Sequence, residues 1–119
     1  MGTPLLESQI KTSILEFLSI HGIFCWNTPS TGIYDPSRGK FRARRGRFQI
    51  KGVSDILGIL PDGRFLAIEV KRPKGGRVSP DQAFFVEKIR QSGGVAGVCR
   101  SIDEVRYLLC ESNALKRIN

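Results

Sequence analysis

Apolar residues recur at helical spacing near the start of the chain. Leu6, Ile10, Ile14, Phe17 and Leu18 fall on one stripe of a helix, with polar positions between them. Thr3-Pro4 reads as an N-cap followed by proline at the first helical position, and His21-Gly22 ends the helix. The period then changes. Residues 23–27 form a short apolar strand. Residues 52–60 and 64–72 alternate in the manner of strands, and Pro61-Asp62-Gly63 supplies the turn between them. Ser79-Pro80-Asp81-Gln82 is a helix start with a capping box, followed by Phe84, Phe85, Val86 and Ile89 on the buried side and stopped at Gly93-Gly94. Residues 95–99 are a buried strand parallel to a neighbour. Ser101-Ile102-Asp103-Glu104 is a second capping box, opening a helix that buries Val105, Leu108, Leu109 and Leu115. The order helix, strand, loop, strand, strand, helix, strand, helix predicts an α/β fold, a mixed central sheet flanked by helices.

Between the first strand and the hairpin, residues 28–46 are rich in Gly, Pro, Ser and Arg, which predicts a long loop or a mobile hairpin. The chain has 119 residues and a formal net charge of +8, a size suited to a single domain over residues 1–119 and a charge suited to a polyanionic partner. The excess is concentrated in Arg38, Lys40, Arg42, Arg44, Arg45, Arg47 and Lys51, interleaved with Tyr34, Phe41 and Phe48. Lys74 and Arg77 add a second basic stretch in a flexible connector after residue 72. No apolar run is long enough to span a bilayer, so no membrane association is expected, and the N-terminus lacks the pattern of a signal peptide. Cys25, Cys99 and Cys110 are scattered, and His21 is the only histidine, so a structural zinc site is not expected. Reduced, mostly buried thiols fit a cytoplasmic protein.

The hairpin carries the candidate chemistry. A turn closing Leu60 against Arg64 pairs Ile56 with Ile68 and sets Asp55 opposite Glu69, with β-carbons roughly 4.5–5.5 Å apart. Lys71 lies on the same face as Glu69. Two facing carboxylates repel, and the arrangement calls for a cation. Lys71 is one, and a divalent metal is a stronger one. Carboxylate oxygens are hard ligands suited to Mg2+ or Mn2+, and the carbonyl of Val70 is placed to complete the shell. Lys71 beside the metal would position a water, draw off its proton or stabilise charge developing on a phosphate. Glu7 falls inside the apolar stripe of the first helix, whereas Glu16 faces solvent. Glu7 is either a first-turn acid favoured by the helix dipole or a functional carboxylate facing the core. With a basic surface, this set suits phosphodiester hydrolysis. A surface pairing of Glu69 with Lys71 is the plainer alternative.

Gly52-Val53-Ser54-Asp55-Ile56, then Ile68-Glu69-Val70-Lys71, then Ser79-Pro80-Asp81-Gln82 resembles the PD-(D/E)xK nuclease superfamily, and within it the virus-type replication-repair nuclease, or VRR-NUC, family. Glu7 in Glu7-Ser8-Gln9-Ile10 matches that family's N-terminal acid. The resemblance runs from Glu7 to about Asp103. It implies a restriction-endonuclease-like core and metal-dependent cleavage of DNA. By it, Asp55 and Glu69 bind metal, Lys71 acts on the nucleophilic water and Glu7 completes the acidic site. Gln82 matches a motif position on the helix after the catalytic hairpin, where it either orients Lys71, the water or a phosphate, or only caps its helix; one side chain is not expected to do both. Ser54 stands where the superfamily has proline. Some members are fused to DNA-recognition or helicase modules; none is expected here, so the chain is expected to read its substrate alone or with a partner.

Small stand-alone members resemble junction resolvases, which favours a homodimer cutting four-way (Holliday) junctions, a DNA-repair activity. Symmetric cutting needs two sites related by a twofold axis. The alternatives are a nuclease for flaps, nicks or duplex ends, and a non-catalytic nucleic-acid-binding module. The basic loop would hold phosphates without reading bases, and Lys74 and Arg77 are placed near the scissile phosphate. Phe41, Phe48 and Ile50 either serve the dimer or DNA contact or anchor the loop to the core.

Overall fold

A computed structural model of the chain describes residues 6–28, 33–35, 40–42 and 48–115, with only the backbone described at 33–35 and 40–42. The described residues form three helices and six strands, in the order α1 (Glu7–Ile20), β1 (Phe24–Asn27), β2 (Ile33–Asp35), β3 (Lys40–Arg42), β4 (Ile56–Ile59), β5 (Phe65–Val70), α2 (Pro80–Gln91), β6 (Val95–Cys99) and α3 (Ile102–Glu111). Four strands make a mixed sheet in the order β1-β4-β5-β6. β4 runs antiparallel to β1 and β5, and β6 runs parallel to β5, as the α2 crossover requires. β2 and β3 form a separate antiparallel hairpin, so the segment after β1 contains regular structure.

The sheet is covered on both faces. Ile56, Leu66, Ile68 and Val70 point to one face, where they meet Ile10, Ile14, Phe17 and Leu18 of α1 and Val105 and Leu109 of α3. Ala67 and Ala96 point to the other, under Phe85 and Val86 of α2. This alternation puts Asp55, Glu69 and Lys71 on the α2 side. The α/β, restriction-endonuclease-like core read from the sequence is the fold observed.

Several local expectations change. α1 begins at Glu7 and not at Pro4. Leu6 is extended and exposed, and its N–H donates to Gln9 Oε1 at 2.8 Å, so Gln9 closes the first turn. Thr3 and Pro4 lie outside the described residues. Phe84 is exposed, because α2 settles on the sheet through Phe85 and Val86; Lys88 Nζ lies 5.4 Å from its ring centroid. At α3, Ser101 Oγ accepts from Glu104 N–H, but the Glu104 carboxylate accepts from Arg100 N–H at 2.6 Å instead of from the N-cap.

β4 also starts later than the apolar pattern suggests. Leu60 N–H donates to Arg64 O at 2.8 Å. The alternation of an antiparallel ladder from that pair would give the Val70 N–H to Ser54 O. Instead Val70 N–H donates to Asp55 Oδ2 at 2.8 Å, and Ser54 O accepts from Thr28 Oγ1 at 2.7 Å. Upstream, Gly52 has φ of +74° and lies so close to the start of α2 that an added Cβ would overlap the Asp81 carbonyl. Only glycine satisfies both conditions.

Candidate active site

The register found in β4 and β5 pairs Ile56 with Ile68 and Leu57 with Ala67. One step beyond the ladder, Asp55 and Glu69 stand opposite each other as a non-hydrogen-bonded pair, the kind whose side chains approach most closely. The turn accounts for the register: Leu60 O accepts from Gly63 N–H at 2.8 Å, and Asp62 Oδ1 accepts from Arg64 N–H at 3.1 Å.

Asp55 is half-buried and spends one carboxylate oxygen on the Val70 amide. Glu69 is 1% exposed. Its Oε1 accepts from Gln82 Nε2 at 3.0 Å and lies 3.7 Å from Lys71 Nζ. Its Oε2 is buried and, apart from the Asp55 carboxylate, has no hydrogen-bond partner among the described residues. Burial, first, and then the facing Asp55 carboxylate push the Glu69 acid up to about 8; Lys71 pulls it down and the Glu7 charge adds a little upward. Ser54, at the same corner, also buries a hydroxyl without a described partner.

Gln82 caps its helix and also reaches the acid pair, through Glu69 and not through Lys71. Its Oε1 accepts from Ser79 N–H at 2.9 Å, its backbone N–H donates to Ser79 Oγ at 3.2 Å, and its Nε2 reaches Glu69. A primary amide has an acceptor end and a donor end, and the helix start uses only the first.

The site thus brings together Asp55, Glu69, Lys71 and Gln82. Glu7 is half-buried in the first turn of α1 and is sensed at Glu69 through its charge. Val70 sends its side chain into the core and its N–H to Asp55. Lys51, Lys74 and Arg77 are exposed. Lys40 and Arg42 lie on β3; Arg38, Arg44, Arg45 and Arg47 fall outside the described residues. Phe48 and Ile50 are exposed, and the side chain of Phe41 lies outside the described residues. Arg100 was not anticipated: its guanidinium donates to Arg72 O and Gly75 O, both at 2.8 Å, and to Gly76 O at 3.2 Å, which holds the connector that the composition marks as flexible.

Among the described residues, no three His, Cys, Asp or Glu side chains gather as a metal-ligand cluster. The residues present nevertheless fit a hard divalent ion. Mg2+ is commonly held by one or two carboxylates plus water and substrate phosphate, and the orphaned Oε2 of Glu69 facing Asp55 is the kind of oxygen such an ion relieves. The described helices include none long and apolar enough to cross a membrane.

The fold and the acid–lysine corner define a nuclease-type α/β domain. A family model of the VRR-NUC domain matches residues 38–103, more than half of the chain, and the chain belongs to that family. The membership carries a nuclease-type function, a hydrolase acting on DNA. Comparison with curated proteins finds no match.

Proposed function

We propose that this protein is a metal-dependent endodeoxyribonuclease that cuts branched DNA, four-way junctions foremost, as a homodimer. The observation that supports the chemistry is the convergence of Asp55, Glu69, Lys71 and Gln82 on one corner, with Glu69 Oε2 buried and left without a donor beside Asp55. Asp55 and Glu69 would hold Mg2+ or Mn2+, with the Val70 carbonyl as backbone ligand and Glu7 as a more distant acid. Such an ion supplies Lewis acidity to a phosphoryl oxygen and lowers the pKa of a bound water.

The chain's own groups do the rest. Lys71, held beside Glu69, presents an ammonium to the negative charge that grows on the phosphate. Gln82 fixes the Glu69 carboxylate by donating to it, so the acid pair is oriented before substrate arrives. Lys51, Lys74, Arg77 and the arginines of the 38–47 segment hold the sugar-phosphate backbone by charge and not by base identity, which favours selection by DNA shape. Cutting a junction symmetrically requires two such sites related by a twofold axis.

Purified protein is incubated with Mg2+ or Mn2+ and labelled junction, flap, nicked and linear duplex DNA, beside a sizing measurement with and without junction. Junctions are cut, Asp55→Asn and Lys71→Ala bind without cutting, and the protein runs as a dimer. Cleavage of flaps or ends with junctions intact would replace the substrate. Binding unchanged by Lys71→Ala, with no cleavage in any metal, would leave a binding module in place of an enzyme.

A further inference from the structure

β5 and β6 run parallel, and their C-terminal ends carry Lys71 and Arg100 side by side; Lys71 N–H donates to Cys99 O at 3.1 Å. Arg100 is fixed from behind by the Glu104 carboxylate on its N–H. In front, its guanidinium collects the carbonyls of residues 72, 75 and 76. The connector can present these carbonyls to one point because Gly75 and Gly76 take φ of +76° and +65°. It also leans on the site: a Cβ built on Gly76 would lie 3.6 Å from both Cβ and Cδ of Lys71.

The direction of those carbonyls has a second effect. In a trans peptide the N–H points opposite to the C=O. With the carbonyls of Gly75 and Gly76 turned to Arg100, the N–H groups of Gly76 and Arg77 turn away from it. Among the described residues neither meets an acceptor. Lys74 and Arg77, within two residues of Gly76 in the chain, are exposed.

Resting on the nuclease reading, we infer that Arg100 is a positioning residue: it clamps the 72–77 connector into a phosphate-binding loop and holds it against Lys71. The loop takes a backbone phosphate of the strand being cut through the Gly76 and Arg77 amides and the Lys74 and Arg77 side chains. The three carbonyls need a fork of several fixed N–H donors, which a lysine ammonium does not reproduce.

The test compares wild type with Arg100→Ala, Arg100→Lys and, as a charge-matched control on the outer face of α2, Lys88→Ala. Cleavage rate at saturating DNA, DNA affinity against salt, and amide hydrogen exchange across residues 72–78 are measured. Arg100→Ala loses on the order of tenfold to a hundredfold in rate, the cost of a displaced site, binds DNA more weakly and exchanges the loop amides faster. Arg100→Lys keeps the charge and behaves like Arg100→Ala. Added guanidinium ion restores part of the Arg100→Ala rate and none of a Lys71→Ala rate. Lys88→Ala stays within twofold of wild type. An Arg100→Ala or Arg100→Lys protein that matches Lys88→Ala in rate and affinity overturns the inference while the nuclease reading stands. If wild type cuts nothing, the nuclease reading falls, and the loop is judged on binding alone: equal DNA affinity of wild type and Arg100→Ala overturns it, and weaker binding by Arg100→Ala supports it.

Discussion

Replacing Glu69 by glutamine separates the strain of the acid pair from its chemistry. In the metal-free protein the Glu69 acid is pushed up to about 8, by burial first and then by Asp55, from an ordinary value of 4.5. Between those two values the native state keeps a proton that the unfolded chain has released, so stability falls as pH rises through the window and the whole penalty is present above it. At about 1.4 kcal/mol for each tenfold in proton affinity, the ceiling is about 5 kcal/mol. Glutamine mimics the protonated acid. Its carbonyl still accepts from Gln82 Nε2, and its NH2 replaces the proton that faces Asp55. Urea unfolding followed by circular dichroism in EDTA, at about pH 5 and about pH 9, reads the difference. At the lower pH the two proteins agree within about 1 kcal/mol; at the higher pH Glu69→Gln is the more stable by a few kcal/mol. Mg2+ raises the stability of wild type at high pH and leaves the variant nearly unchanged. Equal pH slopes in the two proteins, or equal gains from Mg2+, would refute the argument that Glu69 is a charge held in reserve for a cation.

Gln82→Glu keeps an acceptor for Ser79 N–H but turns the donor facing Glu69 into a second acceptor. Its metal-free stability at neutral pH drops by about 1–3 kcal/mol in thermal or urea unfolding, whereas a variant as stable as wild type would mean that the contact to Glu69 is idle. Ser54→Ala removes a buried hydroxyl with no described partner, so stability is unchanged or rises by up to about 1 kcal/mol and cleavage persists; a loss above about 2 kcal/mol would reveal a partner for that hydroxyl. Burial, with repulsion from Glu104 behind it, pushes the Cys99 thiol up to about 12, so alkylation of the native protein at neutral pH spares Cys99. Peptide mapping that finds Cys99 modified as fast as in urea would contradict its packing between β6 and α3.

The central hairpin was legible in the sequence because its turn leaves little choice. Pro61-Asp62-Gly63 closes Leu60 on Arg64, and that single closure fixes every pair up to Asp55 and Glu69. The helices were legible as stripes but not at their ends. Leu6 fits the stripe of α1 yet lies outside it, because Gln9 caps the helix there. Phe84 and Phe85 look alike in sequence, and only the seating of α2 on Ala67 and Ala96 decides which is buried. Gln82 is legible as a cap, but only the folded hairpin brings Glu69 to the other end of its amide. Arg100 left no signal, since one more arginine in a basic chain is unremarkable and its partners are carbonyls brought near by the parallel pairing of β5 with β6. The Glu104 bond to Arg100 N–H is hidden for a different reason: the capping-box spacing is satisfied one residue away from where the rule puts it.

Gly52 touches no substrate in this scheme, yet it governs how near α2 can stand to β4. The hydrogen that stands in place of its side chain is all that separates the two backbones at the first turn of the helix that carries Gln82. A methyl group there would work as a wedge, tilting the amide donor off Glu69 while every reactive side chain stayed intact. The tuning of the corner is thus lodged in a residue with nothing to ionise, donate or coordinate.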